Sequence, residues 1–331
     1  MKMAEVLDAF LGFKKTGLLR TALELNLFTA IAEGATSSDE VAKRADSDPR
    51  ATRVLLDALV ATGFLLRSEG IGYRLPDGAE QFLVRGGGRY LGGLARIAAG
   101  YCEWDVYGRL TAAVRTGGPL SDVDVAGYWL DFAGTETPAT ARAAAFVADL
   151  LAPWLAARPG ARVLDAGCGS GVFGLAVAQH PGVRLVLQDS ADVLQVAGQR
   201  PELARPDSVA FMPGDVREID LGGPHDLVIA GNLLFLFDPA AAAALVRRLA
   251  AALKPDGKLV IAQFTTGDDP VAAEHAHLLD VLMVSAFDGA GILPADSYRD
   301  MAADTGLTDV RIHRLADSPV TVLEASAPGN R

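Results

Sequence analysis

Three glycines at alternate positions follow a short apolar run that ends in a carboxylate. The run begins near Ala161 and closes at Asp165, and the glycines are Gly167, Gly169 and Gly171. Such a run predicts a buried parallel strand, and residues 172–180 predict a helix after the turn. Glycine fits this turn because it tolerates positive φ and lets a ligand approach the backbone closely. The arrangement indicates an adenosine-bearing cofactor over the strand ends.

A second carboxylate closes the next apolar run. Residues 184–188 predict another strand, which ends at Asp189 and is followed by Ser190. A carboxylate at the end of the second strand can accept hydrogen bonds from both ribose hydroxyls. The alternative is a glycine loop that only turns the chain, with Asp189 in solvent. Two consecutive strand-and-acid patterns favour the cofactor site.

Candidate proton-transfer groups lie on a predicted helix over residues 272–286. Glu274, His277 and Asp280 are spaced i, i+3 and i+6, so they share one face. Histidine suits base chemistry because its unperturbed pKa is ~6.5. The same spacing occurs in helical metal sites, but charged side chains on a helix more often form a solvated face, and we predict no metal. His275 points away from this face, because each residue of a helix is rotated by about 100° from the one before it.

The composition limits the classes of protein to which this chain can belong. Its 331 residues, half of them hydrophobic, suit two domains with a sizeable core and exclude a disordered chain. The net charge of −11 argues against nucleic acid as a substrate, because phosphate contacts need clustered Lys and Arg. No apolar run reaches the ~18 residues of a membrane helix, and the N-terminus lacks a signal-peptide pattern, so we expect a cytoplasmic protein. Cys102 and Cys168 provide neither a disulfide framework nor a zinc set.

Residues 1–88 predict a compact helical unit. Its predicted elements are an amphipathic helix over 7–28, helices over 40–44 and 50–62 with a capped start at 37–40, and strands over 64–66 and 72–75. Helix, helix and hairpin together indicate a winged helix. Arg50 and Arg53 are the only cations of the second helix, which argues against DNA recognition.

Residues 89–155 predict a helical linker, and residues 156–331 predict a sheet domain. A helix over 91–114 would place Tyr101 and Trp104 on one side, where they line either the core or a pocket for a flat organic substrate. The other predicted elements are a loop over 117–124, helices over 137–154, 239–253, 272–286 and 296–305, and strands over 226–231, 253–261, 310–315 and 320–325. These strands would complete a seven-stranded sheet with an antiparallel edge.

Several of these segments resemble one family. VLDAGCGSGVFG at 163–174, the acid at 189, Gly214-Asp215, DLVIAG at 226–231 and LKPDGKLVI at 253–261 resemble, in order, the cofactor-binding elements of class I S-adenosylmethionine-dependent methyltransferases. LELNLFTAI, SSDEVAKRADSDPRATRVLLDALVATGFL and GYRL, between residues 22 and 75, resemble the N-terminal dimerisation domain of small-molecule O-methyltransferases of plants and bacterial natural-product pathways.

The resemblance implies an α/β, Rossmann-like seven-stranded methyltransferase domain with an N-terminal, α-rich winged-helix dimerisation domain. It implies S-adenosylmethionine as the cofactor, S-adenosylhomocysteine as the product, a small aromatic or polyketide-like substrate, and a homodimer through the N-terminal domain. Phe132 or Phe146 is expected near the methionine end of the cofactor. The implied cofactor contacts are Asp165, Gly167, Gly169, Gly171, Asp189, Ser190, Gly214, Asp215, Val216 and Asn232.

Phe235 departs from the family pattern. The family carries a histidine as general base after the fourth strand, in the context N-x-x-H-x-x-x-D, and this chain has Phe235 at that position. The region of its acidic partner differs too, with Gly291-Ile292-Leu293-Pro294 where Arg-Thr is expected. We therefore expect Phe235 to contact the substrate. Transfer would then rely on positioning and desolvation, or on His277 as the base.

Oxygen is the expected methyl acceptor. Carbon or nitrogen methylation by the same fold is one alternative, and a non-methylating enzyme that uses the bound cofactor for hydroxylation or cyclisation is another. A cofactor-sensing winged-helix regulator is a third, against which the acidic charge balance argues.

Overall fold

The computed structural model describes residues 2–205, 207–267, 270–316 and 318–329, and only the backbone of residues 101 and 270–273. The chain divides into two compact units, Met1–Trp104 and Asp105–Arg331. The predicted three-part division at residues 88 and 155 stays a prediction.

The first unit consists of short helices and one hairpin. Its elements are α1 (Met3–Glu24), α2 (Leu27–Ala32), α3 (Ser38–Arg44), α4 (Pro49–Ala61), β1 (Leu66–Ser68), β2 (Gly72–Arg74), α5 (Glu80–Leu83) and α6 (Gly92–Ala98), and α7 (Tyr101–Gly108) crosses the division. The predicted capped start is confirmed: Ser37 Oγ accepts a hydrogen bond from the Glu40 N–H, and the Glu40 carboxylate accepts one from the Ser37 N–H. Asp48 caps α4 in the same way through the Ala51 N–H.

The hairpin begins later than the predicted strand over 64–66. The backbone N–H groups of Phe64 and Leu65 both donate to the carbonyl of Leu59, so these residues close the end of α4 instead of pairing in the sheet. β1 then pairs antiparallel with β2, with Arg67 opposite Tyr73.

The predicted single helix over 91–114 is wrong. The chain forms α6, α7 and then α8 (Leu110–Thr116) instead. At Gly100 the backbone folds so tightly that a Cβ would overlap the carbonyl oxygen of Arg96. The helix therefore breaks where only glycine fits, although the apolar spacing continues through the break.

The second unit is built around a seven-stranded sheet. After α8 its elements are α9 (Val125–Ala133), α10 (Pro138–Ala156), β3 (Arg162–Ala166), α11 (Val172–Val177), β4 (Arg184–Asp189), α12 (Ala191–Ala197), β5 (Val209–Pro213), β6 (His225–Gly231), α13 (Pro239–Ala251), β7 (Leu253–Phe264), α14 (Pro270–Ala286), α15 (Ala295–Ala303), β8 (Thr308–Arg314) and β9 (Val320–Ser326), with 3-10 turns at Pro201–Leu203 and Leu234–Leu236. Among the described residues the strand order is β5-β4-β3-β6-β7-β9-β8. β3 to β7 pair in parallel, and β9 is antiparallel to both β7 and β8, so the predicted sheet is confirmed.

Both faces of the sheet are covered, which explains why its central strands are apolar throughout. Val163 and Leu164 are consecutive residues of β3, so they point to opposite faces. Val163 packs in a cluster with residues of α10, α11 and α12. Leu164 packs in a second cluster with residues of α13 and α15.

One described helix, α10, is long and apolar enough to cross a membrane by length and composition alone. Ala143, Val147 and Leu151 of this helix are fully buried in the core cluster around β3. Packing against the sheet therefore accounts for its apolar character.

Candidate active site

The carboxyl ends of β3 and β6 define a crevice where the strand order reverses. The chain continues from β3 to β4 on one side and returns to β6 on the other, and ligands bind at such points in open α/β sheets. Gly167, Gly169 and Gly171 of the turn after β3 have φ of 62°, 52° and 73°. A Cβ on Gly167 would overlap the side chain of Leu233, whereas a Cβ on Gly169 would meet nothing within 4 Å. Gly169 therefore presents bare backbone to open space.

Asp165 is buried at the end of β3, with 1% of its surface exposed. Its Oδ2 accepts a hydrogen bond from the N–H of Gly174 at 2.8 Å, and its Oδ1 has no partner among the described residues. Burial raises the pKa of Asp165 to about 8; the Gly174 hydrogen bond opposes this rise, and the charge of Asp189 adds to it. A cationic ligand beside Asp165 would therefore favour its ionised form.

Asp189 reaches back to the glycine turn. Its Oδ2 accepts a hydrogen bond from the Gly169 N–H at 2.9 Å, and its Oδ1 accepts one from the Ser190 N–H at 2.7 Å. Burial raises the pKa of Asp189, while these two backbone donors lower it. The Ser190 hydroxyl caps α12 by accepting from the Val193 N–H. The carboxylate is thus held in place with lone pairs left for a ligand, as a ribose-binding acid requires.

Gln188 is a site residue that the sequence prediction missed. It is 1% exposed. Its Oε1 accepts a hydrogen bond from the Gly167 N–H at 3.2 Å, and its Nε2 donates to the carbonyl of Gly214 at 2.6 Å. Gln188 therefore joins two of the predicted cofactor segments. A polar residue inside an otherwise apolar strand was the available signal, because buried amides need partners.

Asp215 has a partner within the chain. Both of its carboxylate oxygens accept hydrogen bonds from the guanidinium of Arg217, at 2.5 to 3.1 Å. These bonds hold the pKa of Asp215 below its usual range. The side chain of Val216 is buried in the core. Their predicted contacts with the cofactor stay predictions.

Asn232 directly follows β6 in the left-handed conformation, with φ of 51°. Its N–H donates to the carbonyl of Ala262 at 2.7 Å, and its Oδ1 has no partner among the described residues. Asn232 and Asp165 thus each bring one buried acceptor without a donor to the ends of the neighbouring strands β6 and β3. Buried acceptors without donors are costly, so both atoms indicate a ligand that donates hydrogen bonds.

A row of aromatic rings stands at the carboxyl ends of β6 and β7. Phe235, in the 3-10 turn after β6, is 5% exposed, and its ring centroid lies 6.2 Å from that of Phe264, the last residue of β7. The imidazole of His275 on α14 lies 5.3 Å beyond Phe264. Phe235 therefore fills its position with an apolar ring that cannot accept a proton.

Four hydrogen bonds fix the turn that carries Phe235 and the loop beside it. With its amide oxygen turned toward the 3-10 turn, buried Gln263 accepts hydrogen bonds from the N–H groups of Leu233 and Leu234 at 3.0 and 3.2 Å. The Gly291 N–H donates to the carbonyl of Phe235 at 2.9 Å. The next N–H, that of Ile292, donates to Oδ1 of Asp280 at 2.7 Å.

The predicted proton-transfer face is not brought together as a cluster. Glu274 and His277 are exposed, and Asp280 is occupied with the loop at Ile292. Among the described residues, no three His, Cys, Asp or Glu side chains group as a metal site. The catalytic roles of Glu274, His277 and Asp280 stay predictions.

A second aromatic group lies on α9 and after the end of α14. Tyr128, Trp129, Phe132 and Phe287 have ring centroids 5.0 to 6.5 Å apart. No prediction of α9 was made, so this group was missed, apart from Phe132 as a candidate. Phe146 packs against the core and lies 5.7 Å from the ring of His313.

The two predicted substrate contacts on α7 belong to the first unit. The side chain of Tyr101 lies outside the described part of the structure, and Trp104 is 39% exposed. Their contact with substrate stays a prediction.

The sheet order, the glycine turn after the first strand and the acid after the second define a class I methyltransferase fold with an S-adenosylmethionine site. The buried oxygens of Asp165 and Asn232, which lack donors within the described chain, suit the ammonium group of this cofactor, and Asp189 suits its ribose. These residues therefore fit the cofactor.

Comparison with known proteins identifies the family. An O-methyltransferase domain model matches residues 149–308, and an O-methyltransferase dimerisation domain model matches residues 7–85. The tetracenomycin polyketide synthesis 8-O-methyl transferase TcmO of Streptomyces glaucescens is 30% identical over 319 residues, which cover 93% of this chain and 92% of the relative. The chain therefore belongs to the S-adenosylmethionine-dependent O-methyltransferase family.

Two further proteins are similar over nearly the whole chain. The 3-hydroxy-5-methyl-1-naphthoate 3-O-methyltransferase of Streptomyces sahachiroi is 29% identical over 326 residues, covering 93% of this chain and 90% of that protein. Human N-acetylserotonin methyltransferase, in complex with S-adenosylmethionine, has a TM-score of 0.83 at 19% identity and covers 99% of both chains. At that identity the second likeness supports the fold alone.

Proposed function

We propose that this enzyme methylates a hydroxyl oxygen of a small aromatic or polyketide-like natural product. The observation that carries the proposal is the group of rings at the carboxyl ends of β6 and β7, formed by Phe235, Phe264 and His275, because aromatic side chains suit a flat acceptor. The relatives from Streptomyces, whose names state O-methylation in polyketide synthesis and of a naphthoate, support this acceptor class.

Each part of the site has a task in this reaction. When bound, the cofactor supplies an electrophilic methyl carbon on its sulfonium. Asp189 would hold the ribose, and Asp165 and Asn232 would face its cationic part. Phe235 and Phe264 would exclude water and orient the acceptor ring, since a methyl transfer gains most of its rate from positioning in a dry site.

The proposal includes a cytoplasmic homodimer that binds neither nucleic acid nor membrane. A dimerisation domain spans residues 7–85. The net charge of −11 supports the absence of nucleic-acid binding.

Cofactor binding is tested by titrating the protein with S-adenosylmethionine and with S-adenosylhomocysteine in a calorimeter. We expect Asp189→Ala to weaken binding by roughly 10- to 100-fold, because hydrogen bonds to a charged group contribute about 1.5–3 kcal/mol. Asp192→Ala is the matched control, since Asp192 is exposed on the first turn of α12. Unchanged affinity in a folded Asp189→Ala protein would remove Asp189 from the cofactor site.

The acceptor class is tested with methyl-labelled cofactor and a panel of naphthols, hydroxynaphthoates and amino-substituted analogues of the same rings. Labelled methyl ether as the product supports the proposal. Labelled N-methyl or C-methyl product, or no product from protein that binds the cofactor, contradicts it.

A further inference from the structure

We propose that the imidazole of His275 accepts the proton of the acceptor hydroxyl, and so performs the task for which the family uses a histidine at the position of Phe235. This inference rests on the proposed function, because it requires an acceptor that carries a proton.

The first argument is the position of the ring. Phe235 follows β6 and Phe264 ends β7, and these two strands are neighbours in the parallel part of the sheet. Their carboxyl ends therefore meet at the edge where the glycine turn of β3 also lies. The ring centroid of Phe264 lies 6.2 Å from that of Phe235 and 5.3 Å from that of the His275 imidazole. His275 is thus the member of the aromatic row that has ring nitrogens.

The second argument is the protonation state of the His275 ring. Partial burial lowers the pKa of His275, so the ring is neutral near pH 7 and carries one nitrogen that can accept a proton. Burial alone causes this shift: among the described residues, neither Glu274 and His277 on the same helix nor Arg115 on α8, which packs against α14, changes the pKa of His275. Neither ring nitrogen has a hydrogen-bond partner among the described residues, and more than a third of the residue is exposed. The ring nitrogens are therefore free to accept a hydrogen bond from a ligand.

The third argument separates His275 from the predicted base. His275 and His277 are two positions apart on α14, so their side chains point about 160° apart around the helix axis. Both histidines are exposed, but only the ring of His275 lies against Phe264 among the described ring contacts. Of the two histidines of α14, His275 is therefore the one that lies against the end of β7.

The proton balance of the step is complete. The hydroxyl proton would move to the free ring nitrogen of His275 while the oxygen uses a lone pair to bond the methyl carbon. The bond between that carbon and the cofactor sulfur would break, and its electron pair would stay on the sulfur, which becomes a neutral thioether. The positive charge that the sulfonium loses is then on the imidazolium, which returns its proton to water. No further reactant is needed.

The test compares two naphthols that differ in their need for a base. 2-Naphthol keeps its proton at pH 7, whereas 2,4-dinitro-1-naphthol is already ionised. We expect His275→Gln to lower kcat for 2-naphthol by about 100-fold or more, the contribution of a general base, and to change kcat for the ionised naphthol by less than 3-fold. The affinity for S-adenosylhomocysteine should stay within 2-fold of wild type, and His180→Gln is the control for the loss of a histidine away from α14.

Several outcomes would overturn the inference. Equal losses on both naphthols would show that His275 packs or positions without taking a proton, and a wild-type rate on 2-naphthol would exclude it altogether. If His277→Gln lowers kcat for 2-naphthol instead, the result would support the predicted proton-transfer face. A wild-type enzyme that binds the cofactor but methylates neither naphthol nor any other aromatic hydroxyl contradicts the proposed function, and the inference with it.

The protonation of His275 can also be measured without turnover. The chain has only five histidines, so their NMR signals can be told apart. Nitrogen-15 NMR titration of the S-adenosylhomocysteine complex, with His275→Gln to assign the signal, measures the pKa of this ring directly. We expect His275 to be neutral at pH 7. A ring that is still protonated at pH 7 would contradict the inference.

Discussion

Asp165 is the carboxylate of the site whose pKa is raised furthest by burial. Its carboxylate is buried and has one bonded and one unbonded oxygen. In the cofactor-free protein the neutral form is favoured, since burial raises the pKa of Asp165 to about 8. Keeping an acid where a cationic ligand is expected to lie therefore lowers the stability of the cofactor-free fold.

The cost of Asp165 should appear as a pH dependence of stability. The neutral side chain fits the fold, so its favourable contribution is complete below pH ~4, the ordinary pKa of Asp, and is lost as the pH rises through about 8. Asp165→Asn keeps an acceptor for the Gly174 N–H and removes the titration. We expect the variant to gain roughly 5 °C in Tm over the wild type between pH 5 and pH 8.5. The measurement is a thermal scan of the cofactor-free proteins, with Asp192→Asn as the exposed control, and parallel curves would contradict the role of burial.

At the scale of elements, the wall of the crevice depends on a loop that joins three segments. The loop at Gly291 and Ile292 donates to the carbonyl of Phe235 in the 3-10 turn and to the carboxylate of Asp280 on α14. This loop occupies the region where the family pattern places its acidic partner. Asp280 thus has a structural contact that its sequence spacing did not indicate.

Two substitutions at Asp280 separate that contact from proton transfer. Asparagine can still accept from the Ile292 N–H, whereas alanine cannot. We expect Asp280→Ala to lower Tm by several degrees, because a hydrogen bond to a charged group contributes about 1.5–3 kcal/mol, and to raise KM. Asp280→Asn should leave Tm unchanged and keep kcat within a factor of two of wild type. A large loss of kcat in Asp280→Asn at unchanged Tm would instead support the predicted role in proton transfer.

The elements whose signals are local were predicted well from the sequence. Strands β3, β4 and β6 are apolar runs closed by turn residues, and the capped start at Ser37 is a short motif, so each was confirmed. The break at Gly100 was missed because the spacing of apolar residues carries no information about how closely the backbone folds on itself. Helix α9 was missed because no periodic pattern was recognised there.

The candidate site was predicted where it depends on consecutive residues and missed where it depends on tertiary contact. The turn from Gly167 to Gly171 follows directly from its sequence. The bridge made by Gln188, the stacking of His275 on Phe264 and the loop held by Asp280 join residues far apart in the chain. Helical spacing could group His277 with Asp280, but it could not say which side of α14 faces the sheet.

At the scale of the whole molecule, α1 carries an apolar surface that nothing in the described chain covers. Met3, Leu7, Phe10 and Phe13 follow helical spacing and are 53 to 78% exposed. A contiguous exposed row of this kind marks an interaction site. It lies largely within residues 7–85, which match the dimerisation domain, so a second copy of the chain is the expected partner.

Charges on this surface should dissociate the dimer. In a twofold interface each side chain is buried once per protomer, so replacing Phe10 removes about 3–6 kcal/mol of burial per dimer, which corresponds to at least a 100-fold higher Kd for dissociation. We expect Leu7→Glu/Phe10→Glu to sediment as a monomer at low micromolar concentration. Ile71→Glu, at an exposed apolar residue beside the hairpin, should remain a dimer. The monomer should still bind S-adenosylhomocysteine, because the cofactor residues lie in the second unit. A dimeric double variant would exclude α1 from the interface.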